Sequence, residues 1–477
     1  MSRKIVVMGG GPGGYVAALR AASQGADVTL IEKEHLGGTC LNWGCIPSKI
    51  MKNSAEILHK CRKAKDFGIH LDGAVLPDMA GLMARKEKIL DSQRTGIAGL
   101  LQGRNVHVEK GCGRITGRGT VQVTAADGTI TSLRWDKLII ATGTRPMNVP
   151  DFPFDGKKIL SSNDILALNH IPESLTIVGG GVIGCEFACI FSALGTKVTV
   201  VEAMSRVLPL PSVDASVSRL LLREMKKQKV TVCCDTVVTA CATSAKGCRI
   251  SLCKSPFTDN PKAKDPKTDN LSSDLMLVCI GRTPLSSDLG LETIGLKIRE
   301  PGWIPVNDRM ETGAENVYAI GDILGPSRVM LAHVASHEGQ VAADNAMGQD
   351  AVLAYNAVPS AIFTMPEIGT VGMSEEEALQ NGLAVDTASV NFRVLGKAHA
   401  IDEIAGEAKM VVEKDTGRIL GVHLIGAHAT DLIAEATLAV AKGLTAQDMA
   451  QTIHAHPTLA EIMGEVAAKT VGSALHG

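Results

Sequence analysis

Cys40 and Cys45 stand five positions apart in the stretch GGTCLNWGCIPSK, Gly37 to Lys49, between a pair of glycines and a proline. Two nearby thiols can be a redox couple, two small core residues or half of a metal site. A thiolate is the nucleophile in disulfide exchange, and a helix N-terminus or a positive neighbour lowers a cysteine pKa enough to supply one. The C-x₄-C spacing has no second pair at metal-ligand distance, so no metal site is expected. Of the twelve cysteines in the chain, the other ten, including the adjacent Cys233 and Cys234, read as small hydrophobes. A candidate base lies near the other end, in HAHPTLAE. His456 precedes Pro457, which steers it out of helical geometry and frees its ring to point into a cleft. Imidazole is the side chain with the pKa for a base near neutral pH. Glu461, expected one turn into a helix over PTLAEIMGEVAAK, can orient that ring. His454 reads as structural. Lys49 and Glu186 are each a charge in an otherwise apolar stretch, and a buried charge needs a partner. A solvated lysine and a helix-surface glutamate are the alternative.

The elements that must position these groups show in an internal repeat. At an offset of 170 residues, VVMGGGPGGYVAALRAASQGADVTLIE aligns without a gap on TIVGGGVIGCEFACIFSALGTKVTVVE. Gly9, Gly11, Gly14 and Glu32 fall on Gly179, Gly181, Gly184 and Glu202. Each copy reads as an apolar strand, G-x-G-x-x-G, a helix and a second strand ending in an acid, which is a βαβ unit. The first glycine permits a sharp turn, the second lets backbone approach a pyrophosphate, and the third lets helix pack on strand. The helix N-terminus faces the negative charge. The terminal carboxylate accepts from an adenosine ribose. Two dinucleotides in one chain suggest a flavin exchanging electrons with a nicotinamide. Glu202 would repel a 2′-phosphate, which favours NAD over NADP, while Arg206 argues the other way.

Composition sets the bounds. A chain of 477 residues exceeds what one core serves, so about three domains are expected. With 48 Lys+Arg against 50 Asp+Glu and no long run of one sign, no nucleic-acid partner is expected. The apolar N-terminal run is broken by GGGPGG, which a signal peptide would not tolerate. The nearly uncharged stretch Leu175–Gly195 carries Glu186 and a glycine cluster, so no membrane segment is expected. A cytoplasmic, reducing setting follows, where a disulfide is more often catalytic than structural. Lys254–Asp274 is polar and aromatic-poor and reads as an exposed loop. The tail from Val358 alternates apolar strands, such as AKMVVE and GVHLIG, with an amphipathic helix over Asp431–Lys442, which suits a half-buried sheet.

With both fingerprints and the thiol stretch, ATGTRP (Ala141–Pro146), GRTP (Gly281–Pro284), AIGD (Ala319–Asp322), LAHVASHEG (Leu331–Gly339) and HAHPTLAE (His454–Glu461) are similar, nearly end to end, to the flavin-dependent pyridine nucleotide–disulfide oxidoreductases. Leu41, Ile46, Ser48 and Glu202 resemble the branch that oxidises dihydrolipoyl groups with NAD⁺ more than glutathione- or mercuric-reductase-like enzymes. The resemblance implies an α/β fold: two Rossmann-like FAD- and NAD-binding domains plus a C-terminal α+β dimerisation domain. Residues 1–147 and 281–350 would bind FAD, 148–280 NAD, and 351–477 would form the dimer interface. It implies Cys40 as the outer thiol facing substrate and Cys45 as the inner one against the flavin. Lys49 and Glu186 would pair beside the flavin and nicotinamide. Asp322 would meet the ribityl and phosphate region, and Ala332 and His333 would begin a helix whose backbone faces the isoalloxazine. Gly143 and Gly281 would lie along the cofactors. His456 and Glu461 would reach across a homodimer to the partner's disulfide. Partners would be the lipoyl domains of 2-oxo acid dehydrogenase or glycine-cleavage complexes. An NADPH-driven reductase of another small disulfide, and a complex component whose main role is docking, are the alternatives. Trp43 and Leu285 depart from the family's pattern, and Trp43 would crowd the disulfide.

Overall fold

The structure is a computed structural model and describes residues 2–257, 260, 270–474 and 476. Internal contacts divide the chain into two compact units, Met1–Ile50 with Ala80–Met147 and Gly281–Ala354, and Met51–Met79 with Asn148–Ile280 and Tyr355–Gly477.

In the first unit a parallel sheet runs in the order Val317–Ala319, Lys137–Ile140, Lys4–Met8, Asp27–Glu32, His107–Lys110. Ile5, Val6, Val7 and Met8 are all buried, the continuous apolar run that a parallel strand covered on both faces requires. Burying each such side chain contributes about 1.5–3 kcal/mol. Helix Pro12–Ser23 covers the sheet and packs against helix Ala332–Ala346. Small residues set that approach: a Cβ on Gly13 would lie 2.9 Å from the Ala335 carbonyl oxygen, and one on Gly339 only 2.5 Å from that of Gly13. An antiparallel sheet of Cys112–Gly117, Thr120–Thr124 and Ile130–Arg134 completes the unit with the pair Thr144–Pro146 and Arg282–Pro284.

The second unit contains the other copy of the repeat. Its parallel sheet runs Thr231–Cys233, Lys197–Val201, Ser174–Val178, Leu275–Val278, Ile159–Leu160. Lys4 pairs with Asp27 and Met8 with Ile31, while Ser174 pairs with Lys197 and Val178 with Val201, so the repeat holds in register as well as in sequence. The apolar stretch after Leu175 is a strand and then helix Val182–Leu194, and no described helix is long and apolar enough to cross a membrane. The same unit holds an antiparallel sheet in the order Ser360–Ile362, Glu367–Gly372, Ile419–Gly426, Glu407–Glu413, Val385–Asn391.

Three readings of this unit are corrected. Strand Ile419–Gly426 is buried along its whole length rather than on one face, because it meets helix Ala429–Lys442 and also helix Ala215–Lys227. The expected loop Lys254–Asp274 is shorter: Asn270–Ser273 forms a strand on Cys248–Ser251, and Ser273 Oγ is fixed by Thr176 and Leu275. Residues 258–259 and 261–269 of that stretch lie outside the described residues. The tail helix begins at Ala429, two residues before the expected start.

Candidate functional site

In the first unit Cys40 lies in the short helix Gly38–Trp43, and Cys45 is the first residue of helix Cys45–Arg62. Gly44 separates the two helices. Asn42, in the first of them, is buried, and its amide donates to the carbonyls of Leu36 (3.1 Å) and Gly38 (2.9 Å) while accepting from Arg94 (2.7 Å). The segment carrying Cys40 is thereby tied to the turn before it. The two thiols share a hydrogen bond. That bond, then burial, then a thiolate on Cys45 push the Cys40 thiol far up, and the Lys49 ammonium opposes them. Against the expectation that a helix end or a positive neighbour lowers a thiol here, the hydrogen bond shared by the pair outweighs the Lys49 ammonium at Cys40. Trp43 leans on His35, ring centroids 5.9 Å apart. Lys49 lies 3.5 Å from the Ser48 hydroxyl.

The glycine cradle of the same unit is shaped for a dinucleotide. Gly9 has φ +107°, and a Cβ on Gly14 would lie 1.8 Å from the Gly9 carbonyl oxygen. Only glycine fits at either place. Glu32 accepts from the N–H groups of Gly10 and Glu34, each at 2.7 Å. Helix Pro12–Ser23 has no side-chain cap, so its first N–H groups face outward at Gly11, where a Cβ would meet nothing closer than 3.9 Å. An uncapped helix start lined by glycine backbone, with no side chain crowding Gly11, fits a pyrophosphate. Asp322 accepts from the Thr144 hydroxyl (3.1 Å), which in turn accepts from Arg282 Nε (2.6 Å). Burial lowers the Arg282 guanidinium, and Asp322 and Cys45 oppose that. Gly143 has φ +66° and its carbonyl accepts from Leu285 N–H (3.0 Å), while the carbonyl of Gly281 accepts from Met147 N–H (3.0 Å). Ala332 and His333 open helix Ala332–Ala346, His333 exposed. Further along it, the buried Glu338 accepts from Gly321 N–H at 2.6 Å and so fixes the turn carrying Asp322. Sequence reasoning missed Asn42, Thr144, Arg282 and Glu338, although all four lie within quoted motifs.

The second unit repeats the cradle. Gly179 has φ +103°, a Cβ on Gly184 would lie 1.9 Å from its carbonyl oxygen, and one on Gly181 would meet nothing within 4 Å. Glu202 accepts from Gly180 N–H (2.5 Å) and Met204 N–H (2.7 Å), the same two contacts that Glu32 makes 170 positions earlier. Arg206 donates to the carbonyls of Val213 (2.9 Å) and Leu210 (3.3 Å), so its guanidinium braces a loop. Glu186 is buried in helix Val182–Leu194 rather than on its surface and accepts from Phe363 N–H at 2.9 Å. Lys49 and Glu186 belong to different units, and their pairing rests on the resemblance alone.

His456 and Glu461 come together as expected, Nδ1 to Oε1 at 2.8 Å. The imidazole is 75% exposed, leaving Nε2 outward. Glu461 is the first residue of its helix, Glu461–Thr470, not one turn in, because Pro457 offers no N–H and Thr458 N–H turns back onto Glu461 Oε2 at 2.9 Å. Partial burial pushes the Glu461 carboxyl up, but the His456 ring and Thr458 N–H hold it below its ordinary value. His454 is structural in its contacts: it is nearly buried and meets Glu435 at 2.9 Å. Of the other cysteines, Cys185, Cys189 and Cys248 are buried, whereas Cys112 and Cys253 are exposed and do not act as core hydrophobes.

The family described as pyridine nucleotide-disulphide oxidoreductase matches residues 3–339, and its dimerisation domain matches 358–467. Dihydrolipoyl dehydrogenases from Chlamydia pneumoniae and Bacillus subtilis are each 39% identical over 99% of this chain, covering 97% and 98% of their own length. LpdA from Mycobacterium tuberculosis matches with a TM-score of 0.88 at 28% identity, over 98% of this chain and 99% of that one. The HOCl-induced flavoprotein disulfide reductase RclA from Escherichia coli shares the fold, with a TM-score of 0.83 at 24% identity over 98% of this chain and 99% of that one.

Proposed function

The chain belongs to the pyridine nucleotide–disulphide oxidoreductase family, and we infer that it is a dihydrolipoyl dehydrogenase, oxidising dihydrolipoyl groups to lipoyl and reducing NAD⁺. The observation that carries the reading is a hydrogen-bonded thiol pair in the same unit as a dinucleotide cradle. FAD, when bound, supplies a two-electron relay between the thiols and the nicotinamide. Gly9, Gly11, Gly14, Glu32 and Asp322 would hold it, with Gly143, Gly281, Lys49, Ala332 and His333 along it. Gly179, Gly181, Gly184 and Glu202 would hold NAD. In this assignment residues 1–147 and 281–350 serve FAD, 148–280 NAD and 351–477 the dimer.

His456 takes the proton of a substrate thiol, with Glu461 holding the ring and stabilising the imidazolium. The substrate thiolate attacks Cys40 Sγ of the Cys40–Cys45 disulfide, the S–S bond breaks, and Cys45 leaves as thiolate. The second substrate thiol, deprotonated in turn, closes the lipoyl ring and releases Cys40. Cys40 ends as the hydrogen-bonded thiol, which agrees with its raised pKa. The substrate has lost two electrons and two protons, and the thiol pair has gained the electrons.

The base would come from the other copy of the chain in a homodimer. The dimerisation-domain match supports this, as do Ile453, 97% exposed and three residues before His456, and the exposed Leu438 and Leu444. Lipoyl domains of 2-oxo acid dehydrogenase or glycine-cleavage complexes would deliver the substrate, in a reducing cytoplasm. The engagement of Arg206 by two carbonyls supports NAD over NADP. Reduction of NAD⁺ by dihydrolipoamide in the FAD-loaded protein tests the reading. Turnover only with NADPH and another disulfide would replace it.

A further inference from the structure

Glu186 is held in place by a segment that no sequence motif marks. The connection from strand Ser360–Ile362 to strand Glu367–Gly372 crosses helix Val182–Leu194, where Phe363 N–H donates to Glu186 Oε1 (2.9 Å) and the Met365 backbone bonds the buried thiol of Cys189, three residues further along. The Met365 carbonyl accepts from Gln228 Nε2 at 2.5 Å, and the buried Thr364 closes its hydroxyl on the Pro366 carbonyl at 2.7 Å. Lys52 grips this connection at both ends. Its ammonium lies 2.5 Å from Glu367 Oε1 and 5.9 Å from the centre of the Phe363 ring, with Glu56 as a further partner at 2.7 Å. Glu367 in turn accepts from the Thr430 hydroxyl at 2.6 Å.

The Lys52 side chain is only 7% exposed. Burying an ion pair is a poor way to gain stability, since apolar side chains in place of the whole pair often do as well. What the cation adds is a fixed position for Phe363 and Glu367 together, and so a fixed direction for the N–H aimed at Glu186. We propose that Lys52 is a positioning residue for Glu186, acting through the Phe363–Glu367 connection and tuning the nicotinamide half of the reaction. The proposal rests on the reading of Glu186 as part of the reacting centre.

The test measures the two half-reactions of the FAD-loaded protein separately, together with hydrogen exchange at the Phe363 amide. In Lys52→Met, reduction by NADH should slow about 10-fold, less than the ~10²-fold that a displacement of about 1 Å can cost. Reduction by dihydrolipoamide should be unchanged, and Phe363 should lose protection. Because both changes act through one carboxylate, Lys52→Met with Glu186→Gln should be no slower than Glu186→Gln alone. Glu367→Gln, which keeps the shape, carries the same expectations if Lys52→Met does not fold. An unaltered NADH half-reaction, an equal loss in both half-reactions, or retained Phe363 protection would overturn the proposal. Should Glu186→Gln itself react with NADH at the parent rate, the reading of Glu186 fails and the proposal goes with it.

Discussion

Replacing His456 by Gln removes the group with the geometry of a base and leaves its partner Glu461 in place. A positioned base contributes roughly 10²–10⁴-fold, or about 3–5 kcal/mol at about 1.4 kcal/mol per decade. The loss should fall on reduction by dihydrolipoamide, because no substrate thiol is deprotonated when NADH is the reductant. Glu461→Gln is milder. Its 2.8 Å bond to Nδ1 changes from one with a carboxylate, worth about 1.5–3 kcal/mol, to a neutral one of about 0.5–1.5 kcal/mol. That difference of about 1–1.5 kcal/mol predicts a 5- to 13-fold slowing, on the order of a tenth of the His456 effect or less. Since Glu461 acts through the ring, the double variant should be no slower than His456→Gln. Rapid-mixing absorbance of the flavin with each reductant resolves the two halves. Mixed dimers made from Cys40→Ser and His456→Gln chains would contain one site with an intact disulfide and an intact histidine, and some turnover should return. Multiplicative losses in the double variant would refute the His–Glu coupling, and verified mixed dimers without activity would refute a base shared across subunits.

Cys45→Ser should keep one FAD per chain while losing lipoamide turnover, since the cradle of Gly9, Gly14 and Glu32 uses no sulfur; flavin absorbance against turnover checks it. Glu202→Ala should raise NADP⁺ use relative to NAD⁺ only modestly, because Arg206 stays engaged with Val213 and Leu210; the ratio of kcat/KM values decides. Gly184→Ala, whose Cβ would lie 1.9 Å from the Gly179 carbonyl oxygen, should impair the NADH half-reaction and spare reduction by dihydrolipoamide. Asp214 is a buried N-cap whose burial alone would raise its pKa, yet Lys409 at 2.8 Å and Ser216 N–H lower it to about 2. Its contribution is therefore complete above about pH 4 and lost as pH falls toward 2. Lys409→Met should cost roughly 3 kcal/mol and move that loss to higher pH, as urea unfolding at several pH values would show.

Much of the site was legible because it is local. Strand, glycine turn, helix and terminal carboxylate lie within about thirty residues, and the backbone contacts of Glu32 and Glu202 follow from that short path alone. The thiol pair and the His456–Glu461 pair are equally short-range, separated by five residues each. The start of the His456 helix was misplaced because a side chain, Glu461, turned back onto Thr458 N–H and set the first turn.

What sequence could not supply are partners far apart along the chain. Arg282 with Thr144 and Asp322, Glu338 with Gly321, and Lys52 with Glu367 are held together by sheet order and helix crossing. Which charges are buried, and by what they are neutralised, is settled only when those elements pack. The burial of Ile419–Gly426 along its whole length has the same cause: the strand packs against both helix Ala429–Lys442 and the distant helix Ala215–Lys227. The raised Cys40 thiol is also a product of packing, since type and spacing present two thiols and a lysine, while close approach in the fold decides that the shared proton prevails. Sequence determined which chemistry the chain can carry, because nucleotide cradles and thiol pairs are short-range devices. Tertiary structure decided how Glu186 and Asp322 are held, because the groups that fix them, Phe363, Thr144 and Arg282, lie far from them in sequence.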